Sequence, residues 1–155
     1  MKKFRFSLQE LLDLREFRAK QAENELARRA GLVALQEMEL ERIDREEART
    51  RASRFRGKTG VHELIAEELY LQRLARDRER GLAELARREA ARDEALAAYN
   101  EANKEKMVLE ELEDGELEAF RKEASRREIL EIDDIVSGRR AREEASGPRA
   151  AGRGI

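Results

Sequence analysis

The stretch RFRGKTGVHE, residues 54–63, decides how this chain folds. Gly57 and Gly60 bracket Lys58 and Thr59, the only close pair of glycines in the first half of the sequence. Glycine ends a helix because it alone enters the left-handed region without steric penalty, and a short polar residue or glycine then caps the next one. Gly57 is therefore read as a stop, and Thr59 or Gly60 as a cap with Glu63 in the following first turn. On both sides the residues favour long helices. Two long helices joined by a short loop fold back antiparallel, so the chain is expected to be all-α, an antiparallel two-helix coiled-coil hairpin with unequal arms.

Upstream of the turn, Leu12, Ala19, Leu26, Val33 and Leu40 form an unbroken seven-residue stride of apolar side chains. The companion stripe is diluted: Leu8, Arg15, Ala22, Arg29, Gln36 and Ile43. One good stripe beside a poor one describes a coiled-coil strand that grips loosely. The first helix has a start signal in FRFSLQEL, residues 4–11. Ser7 is placed as the N-cap with Glu10 three residues on, a capping box, and Phe6 can staple onto Leu11. Residues 1–6 form a lead, 7–56 the first helix and 57–60 the turn.

Downstream, the second helix is expected over 61–137. Its clearest seam pairs are Leu82/Leu85, Leu96/Tyr99 and Leu117/Phe120. Gly81 and Gly115 are solitary and each costs about 1 kcal/mol relative to Ala, so they read as bends. Gly138 reads as the stop, followed by a basic, disordered tail over 138–155. In an antiparallel hairpin turning near Lys58, facing residues should have numbers summing to roughly 117. That register sets Ala19 and Ala22 against Leu96 and Tyr99, and Val33 against Leu85. The first helix can cover the second only as far as about residue 110, leaving an overhang of roughly thirty residues, about 40 Å at the helical rise. Its apolar stripe, Leu117, Phe120, Ala124 and Leu130, has no expected partner within the chain, which marks a binding site.

Composition narrows the function. Charged residues make up 44% of the chain, yet the formal net charge is −2. The signs alternate, as in RDRERGLAELARREAARDEA, which suits i,i+4 ion pairs on solvated helices and not a nucleic-acid face, where positive charge must be segregated. His62 is the only histidine and there is no cysteine, so no histidine-based catalytic set can be assembled. Asp133 and Asp134 lack a loop of calcium-ligand spacing. Gly57-Lys58-Thr59 resembles the end of a phosphate loop, but Ala52 and Ser53 stand where the upstream glycine should be. No enzyme activity, metal or cofactor is expected. The charges at Arg5, Glu10 and Asp13 leave no signal-peptide core after MKKF, and no stretch is long enough to cross a bilayer. The lack of cysteine fits a reducing cytoplasm.

The two ends of the chain resemble a known family. FRFSLQELLDLREFRAKQAENELARRA is similar to the opening of the flagellar export protein FliJ family, and REILEIDDIVSGRRAR is similar to its close, an apolar-Asp-acidic-apolar quartet (Ile132, Asp133, Asp134, Ile135) before a basic run (Arg139, Arg140, Arg142). Gly138 before that run and the Gly/Arg/Ala tail beyond it depart from the pattern. The resemblance implies a stalk-like coiled coil of the type III export apparatus. It would bind the hexameric export ATPase, promote assembly of its ring, and link the ring to the membrane export gate at the inner face of the cell membrane. Export chaperones are further implied partners. On that reading Phe4, Phe6, Leu117, Phe120, Ala124, Leu130, Ile132, Ile135, Arg139, Arg140 and Arg142 meet the ATPase. Ile43, Phe55, Leu69, Tyr70 and Leu74, at the hairpin end, meet the gate. The alternatives are an escort chaperone for export substrates, a homodimeric coiled-coil spacer, and a nucleic-acid-binding hairpin, which the mixed charge disfavours.

Overall fold

In the computed structural model, residues 3–54 and 60–147 are described. They form two helices, α1 (Gln9–Ser53, 45 residues) and α2 (Val61–Ala145, 85 residues), with no strand among the described residues. The expected all-α hairpin with arms of unequal length is therefore present. The start of α2 is capped as the sequence indicates. The Gly60 carbonyl accepts from the Leu64 amide at 3.1 Å, and Glu63 reaches back to accept from the Gly60 amide at 3.3 Å. This satisfies a backbone donor that the helix itself leaves without a partner. Near the end of α1 the Thr50 and Ser53 hydroxyls donate to the carbonyls of Glu46 and Thr50 at 2.9 and 2.8 Å. Gly57, Lys58, Thr59 and Phe55 lie outside the described residues.

Two boundaries differ from expectation. Ser7 and Leu8 form a turn, so α1 opens at Gln9. Phe6 is buried, but Leu11, its expected staple partner, stays exposed. At the other end, α2 does not stop at Gly138 but continues through RRAREEA to Ala145. A glycine stop works by adopting a positive φ, and no described glycine does so. One internal glycine costs about 1 kcal/mol, which a following run of Ala, Arg and Glu offsets. For the same reason Gly81 and Gly115 sit inside an uninterrupted helix. Of the tail expected over 138–155, residues 138–145 are helical and those after 147 lie outside the described residues.

The described chain packs as two units: one runs Glu10–Met107, the other combines Met1–Gln9 with Val108–Ile155. In the first, α1 lies antiparallel on residues 61–107 of α2. Its face toward α2 is the one the heptad stride indicates: Leu12, Ala19, Val33, Leu40 and Ile43 are buried, with Leu26, Arg15, Ala22, Arg29 and Gln36 half-buried. On α2 the seam is rotated from the expected one. The buried or half-buried positions follow Leu74, Gly81, Arg88, Ala95 and Ala102, beside Leu71, Leu85, Arg92, Tyr99 and Lys106. Leu82 and Leu96 remain 44% and 43% exposed. Small residues sit in the contact stripe and the leucines next to them flank it, because close approach of two backbones requires small side chains between them. Gly81 shows this directly. A Cβ there would lie 2.7 Å from Leu40 Cδ2, and Gln36 donates to the Gly81 carbonyl at 3.2 Å.

Polar links fix the register where burial is thin. Arg15 pairs with Glu105, Arg88 donates to the Leu32 carbonyl at 3.0 Å, Arg78 to Asp44 at 2.8 Å, and the Tyr70 hydroxyl to Glu46 at 2.8 Å. Arg54 bonds Glu68 at 3.0 Å. The residue numbers of these pairs sum to within about six of the expected total, as antiparallel packing requires. Along each helix, ion pairs one turn apart stiffen the solvated faces, among them Arg29–Glu25 at 2.7 Å and Arg42–Glu46 at 2.9 Å. Hydrogen bonds from Arg28, then from Arg29, hold the Glu25 carboxyl at about 2. The carboxyls of Glu23, Glu39 and Glu68 are lowered by hydrogen bonds from Lys20, Arg42 and Arg54 respectively. A carboxyl whose pKa falls on folding stabilises the fold above its unfolded value, 4.5 here, and that contribution disappears as pH drops through its folded value. The melting temperature should therefore fall steadily as pH is lowered from 5 to about 2. A melting temperature that rises on acidification, followed by circular dichroism, would show that these pairs contribute nothing.

The second unit is built around Phe6 and Leu109, both 7% exposed. Phe4 packs on Phe120, ring centroids 5.7 Å apart and tilted by 55°. Leu117 and Ala124 are half-buried. This corrects the expectation that the Leu117–Phe120 stripe has no partner within the chain. Phe4 of the N-terminal lead partly covers it, because apolar side chains on the short non-helical segment before α1 lower their exposure to water by resting on it. From residue 121 to 147 every residue is exposed except Ala124 and Gly138.

Candidate partner-binding surfaces

The described residues contain no group of three His, Cys, Asp or Glu placed to hold a metal ion. His62 is exposed near the start of α2. A shallow groove in the first unit is lined by Glu39, Arg42, Glu46, Tyr70, Arg73 and Asp77, with Ile43 and Leu74 at its floor. Both charge signs alternate around it, so it assembles no nucleophile, base or phosphate cradle. What the fold offers to other molecules is apolar helix surface.

One such surface in the second unit is on α2. Ile129, Ile132 and Val136 are 58%, 59% and 44% exposed. At roughly 100° per residue these three lie on one line. Ile135 flanks that line, while Leu130 stands on the other side of it, and both are exposed. Arg126 and Arg127 precede this surface, and Arg139, Arg140 and Arg142 follow it, all exposed. Arg127 is tied to Glu123 at 3.1 Å. Of the residues expected to meet an ATPase, Leu130, Ile132, Ile135 and the three arginines are thus open to solvent. Phe4 is half-buried, Phe6 is buried, and Phe120 is partly covered by Phe4. Ile129 and Val136 were not anticipated. Their i, i+3, i+7 spacing with Ile132 is the signal that would have found them.

In the first unit, the residues expected to meet an export gate separate into two kinds. Ile43 and Leu74 are each only 4% exposed. They are seam residues, buried because the helices remain packed this far toward the turn, and cannot offer a free face. Leu69 and Tyr70 are exposed but stand about 100° apart around α2, as neighbours on a helix do, and so do not share one face. The Tyr70 hydroxyl is bonded to Glu46, which raises its pKa. Leu69 instead shares a face with Val61 and Ile65, which are 59%, 72% and 54% exposed respectively, beside Leu64. The i, i+4, i+8 spacing of Val61, Ile65 and Leu69 was legible in the sequence.

No described helix is long and apolar enough to cross a membrane. No curated protein and no solved structure matches this chain. The family model described as flagellar FliJ protein matches residues 4–145. That span runs from the first aromatic residue of the lead to the last residue of α2, and so includes both helices and the exposed C-terminal surface. The chain belongs to the flagellar FliJ protein family, non-enzymatic components of the flagellar export apparatus.

Proposed function

We propose that this protein is a stalk-like component that binds the flagellar export ATPase ring through the C-terminal segment of α2. In this role it promotes assembly and turnover of the ring and links it to the membrane export gate. The observation that carries the reading is the bare line of Ile129, Ile132 and Val136 between two arginine clusters. Large aliphatic side chains left in water on a stiff helix favour a partner that buries them. The flanking Arg126, Arg127, Arg139, Arg140 and Arg142 would meet acidic groups on that partner. Leu130 and Ile135 widen the contact on its two flanks, and Ala124, Phe120 and Leu117 continue the Ile135 flank toward residue 109.

The charge pattern disfavours the homodimeric spacer. Antiparallel pairing of two copies about Ile132 would set Glu131, Asp133 and Asp134 against their own images and the arginine pairs against each other. Parallel pairing in the Ile129–Ile132–Val136 frame would place Glu128 opposite Asp133 of the second copy, since these positions face across a coiled coil. Either arrangement opposes like charges. For the gate, the face formed by Val61, Ile65 and Leu69 is the better candidate, with Tyr70 about 100° around the helix from Leu69. The protein would then work in the cytoplasm, peripheral to the inner face of the membrane, where export chaperones could also reach it.

The test is the paired substitution Ile132→Asp with Val136→Asp. Both positions are exposed, so helix content should be unchanged by circular dichroism. Co-purification with the export ATPase of the same cell should be lost, and its stimulation of ATP turnover should fall by about tenfold or more, the effect of removing a central apolar anchor. Undiminished binding and turnover would exclude this surface. Ile65→Asp should weaken capture by the gate's cytoplasmic domain while leaving ATPase stimulation intact.

A further inference from the structure

From the contact between Phe4 and Phe120 we infer that the N-terminal lead is a clasp: in the free protein it occupies the inner end of the flank that Ile135 shares with Ala124, Phe120 and Leu117, and it must be displaced when the partner binds along that flank. This rests on the docking surface proposed above. Residues 3–6 are non-helical and the turn at Ser7 and Leu8 joins them to α1. Two aromatic anchors seat the lead. Phe6 is buried in the same unit as Leu109, and Phe4 lies at 5.7 Å on the Phe120 ring. Lys3 and Arg5, which alternate with them, are exposed.

The seat is placed where coverage of α2 ends. Leu109 is buried, Leu117 is half-buried, Phe120 is 37% exposed, and among the described residues past it only Ala124 and Gly138 have partial cover. At roughly 100° per residue Leu117, Phe120, Ala124 and Ile135 share one face of α2, so a partner segment that follows this flank from Ile135 back past Ala124 meets the Phe4 ring before it reaches Phe120. Phe4 is the outer anchor and only half-buried, so it is the contact that yields first. Phe6 is the inner anchor and keeps the lead tethered. When part of a binding surface is occupied by the chain's own residues, apparent affinity falls by the fraction of molecules in which the surface is open. One aromatic pair at an exposed edge is the right size for such a latch, since it opens readily at ordinary temperature.

The experiment measures affinity for the purified export ATPase with the chain as it stands and with Phe4→Ala, each with and without Ile132→Asp. A clasp requires Phe4→Ala to bind more tightly, by about threefold to tenfold. Unchanged or weaker binding by Phe4→Ala overturns the clasp. If Ile132→Asp does not weaken binding, the docking surface itself fails, so the two ideas are separately exposed to refutation. A second measurement needs no partner. The chain has no tryptophan, so the indole introduced by Phe120→Trp reports this contact alone. Its emission in the free protein should shift to the red when Phe4→Ala is added, and that red-shifted emission should be matched on deleting residues 2–6. Identical emission in all three would mean that Phe4 does not rest on residue 120 in solution, and the clasp would be rejected.

Discussion

Replacing Leu74 by alanine should lower the stability of the hairpin by about 3 kcal/mol, within the range for removing a buried leucine side chain, and should lower the melting temperature by on the order of 10–20 °C. Leu74 is 4% exposed, and it and Leu71 are the buried leucines among the described residues of α2 in the first unit. Toward the other end of the seam the contact positions are held by Gly81, Arg88, Ala95 and Ala102, which bury little apolar area. Long arginine stems can cover apolar surface while their heads stay in water, but they do not replace a leucine. The leucine burial that α2 contributes to the antiparallel pair is thus concentrated near its start, and losing one leucine there removes a large share of it. Leu69→Ala is the control. Leu69 is 59% exposed and should change stability by no more than about 0.5 kcal/mol. Thermal melts of the two variants followed at 222 nm check the contrast. Equal melting temperatures would mean that the seam at Leu74 is not packed.

The second large effect is expected at Gly81. Gly81→Leu forces a branched side chain into the space filled by Leu40, where even a Cβ would stand 2.7 Å from Leu40 Cδ2 and 3.2 Å from Gln36 Nε2. Overpacking of this kind costs about 1–3 kcal/mol, and it also pushes Gln36 away from the Gly81 carbonyl. Removing a mid-helix glycine returns about 1 kcal/mol, so the net change is destabilising. Adding Leu40→Ala on the facing helix makes room, and the double variant should recover part of the lost melting temperature. Gly31 gives the opposite sign. Nothing lies within 4 Å of its Cβ position, so Gly31→Ala keeps the helix-propensity gain and should raise the melting temperature by several degrees. If Gly81→Leu and Gly31→Ala both stabilise, Gly81 is not the point of close approach. The same pair would then fail to fix the register that Gln36 and Arg88 mark with their hydrogen bonds to backbone carbonyls across the seam.

The sequence by itself determined the two helices, their direction and the face that α1 buries. These follow from local chemistry: the helix-favouring runs on either side of residues 54–60, the Gly60–Glu63 cap, and the seven-residue stride from Leu12 to Leu40. Each depends on a helix's own period and ends, and so needs no knowledge of what lies across the interface. The face that α2 buries was decided only by tertiary structure. Leucine spacing selects Leu82 and Leu96, but two backbones can approach closely only over small residues, so Gly81, Ala95 and Ala102 take the contact and the leucines flank it. The same limit hid the clasp. Phe4 and Phe120 are far apart in the chain, and no local pattern reports that one ring rests on the other. Family membership came from the letters at the two ends of the sequence. Which apolar side chains stay free for a partner came from packing, because burial depends on what the rest of the chain can reach.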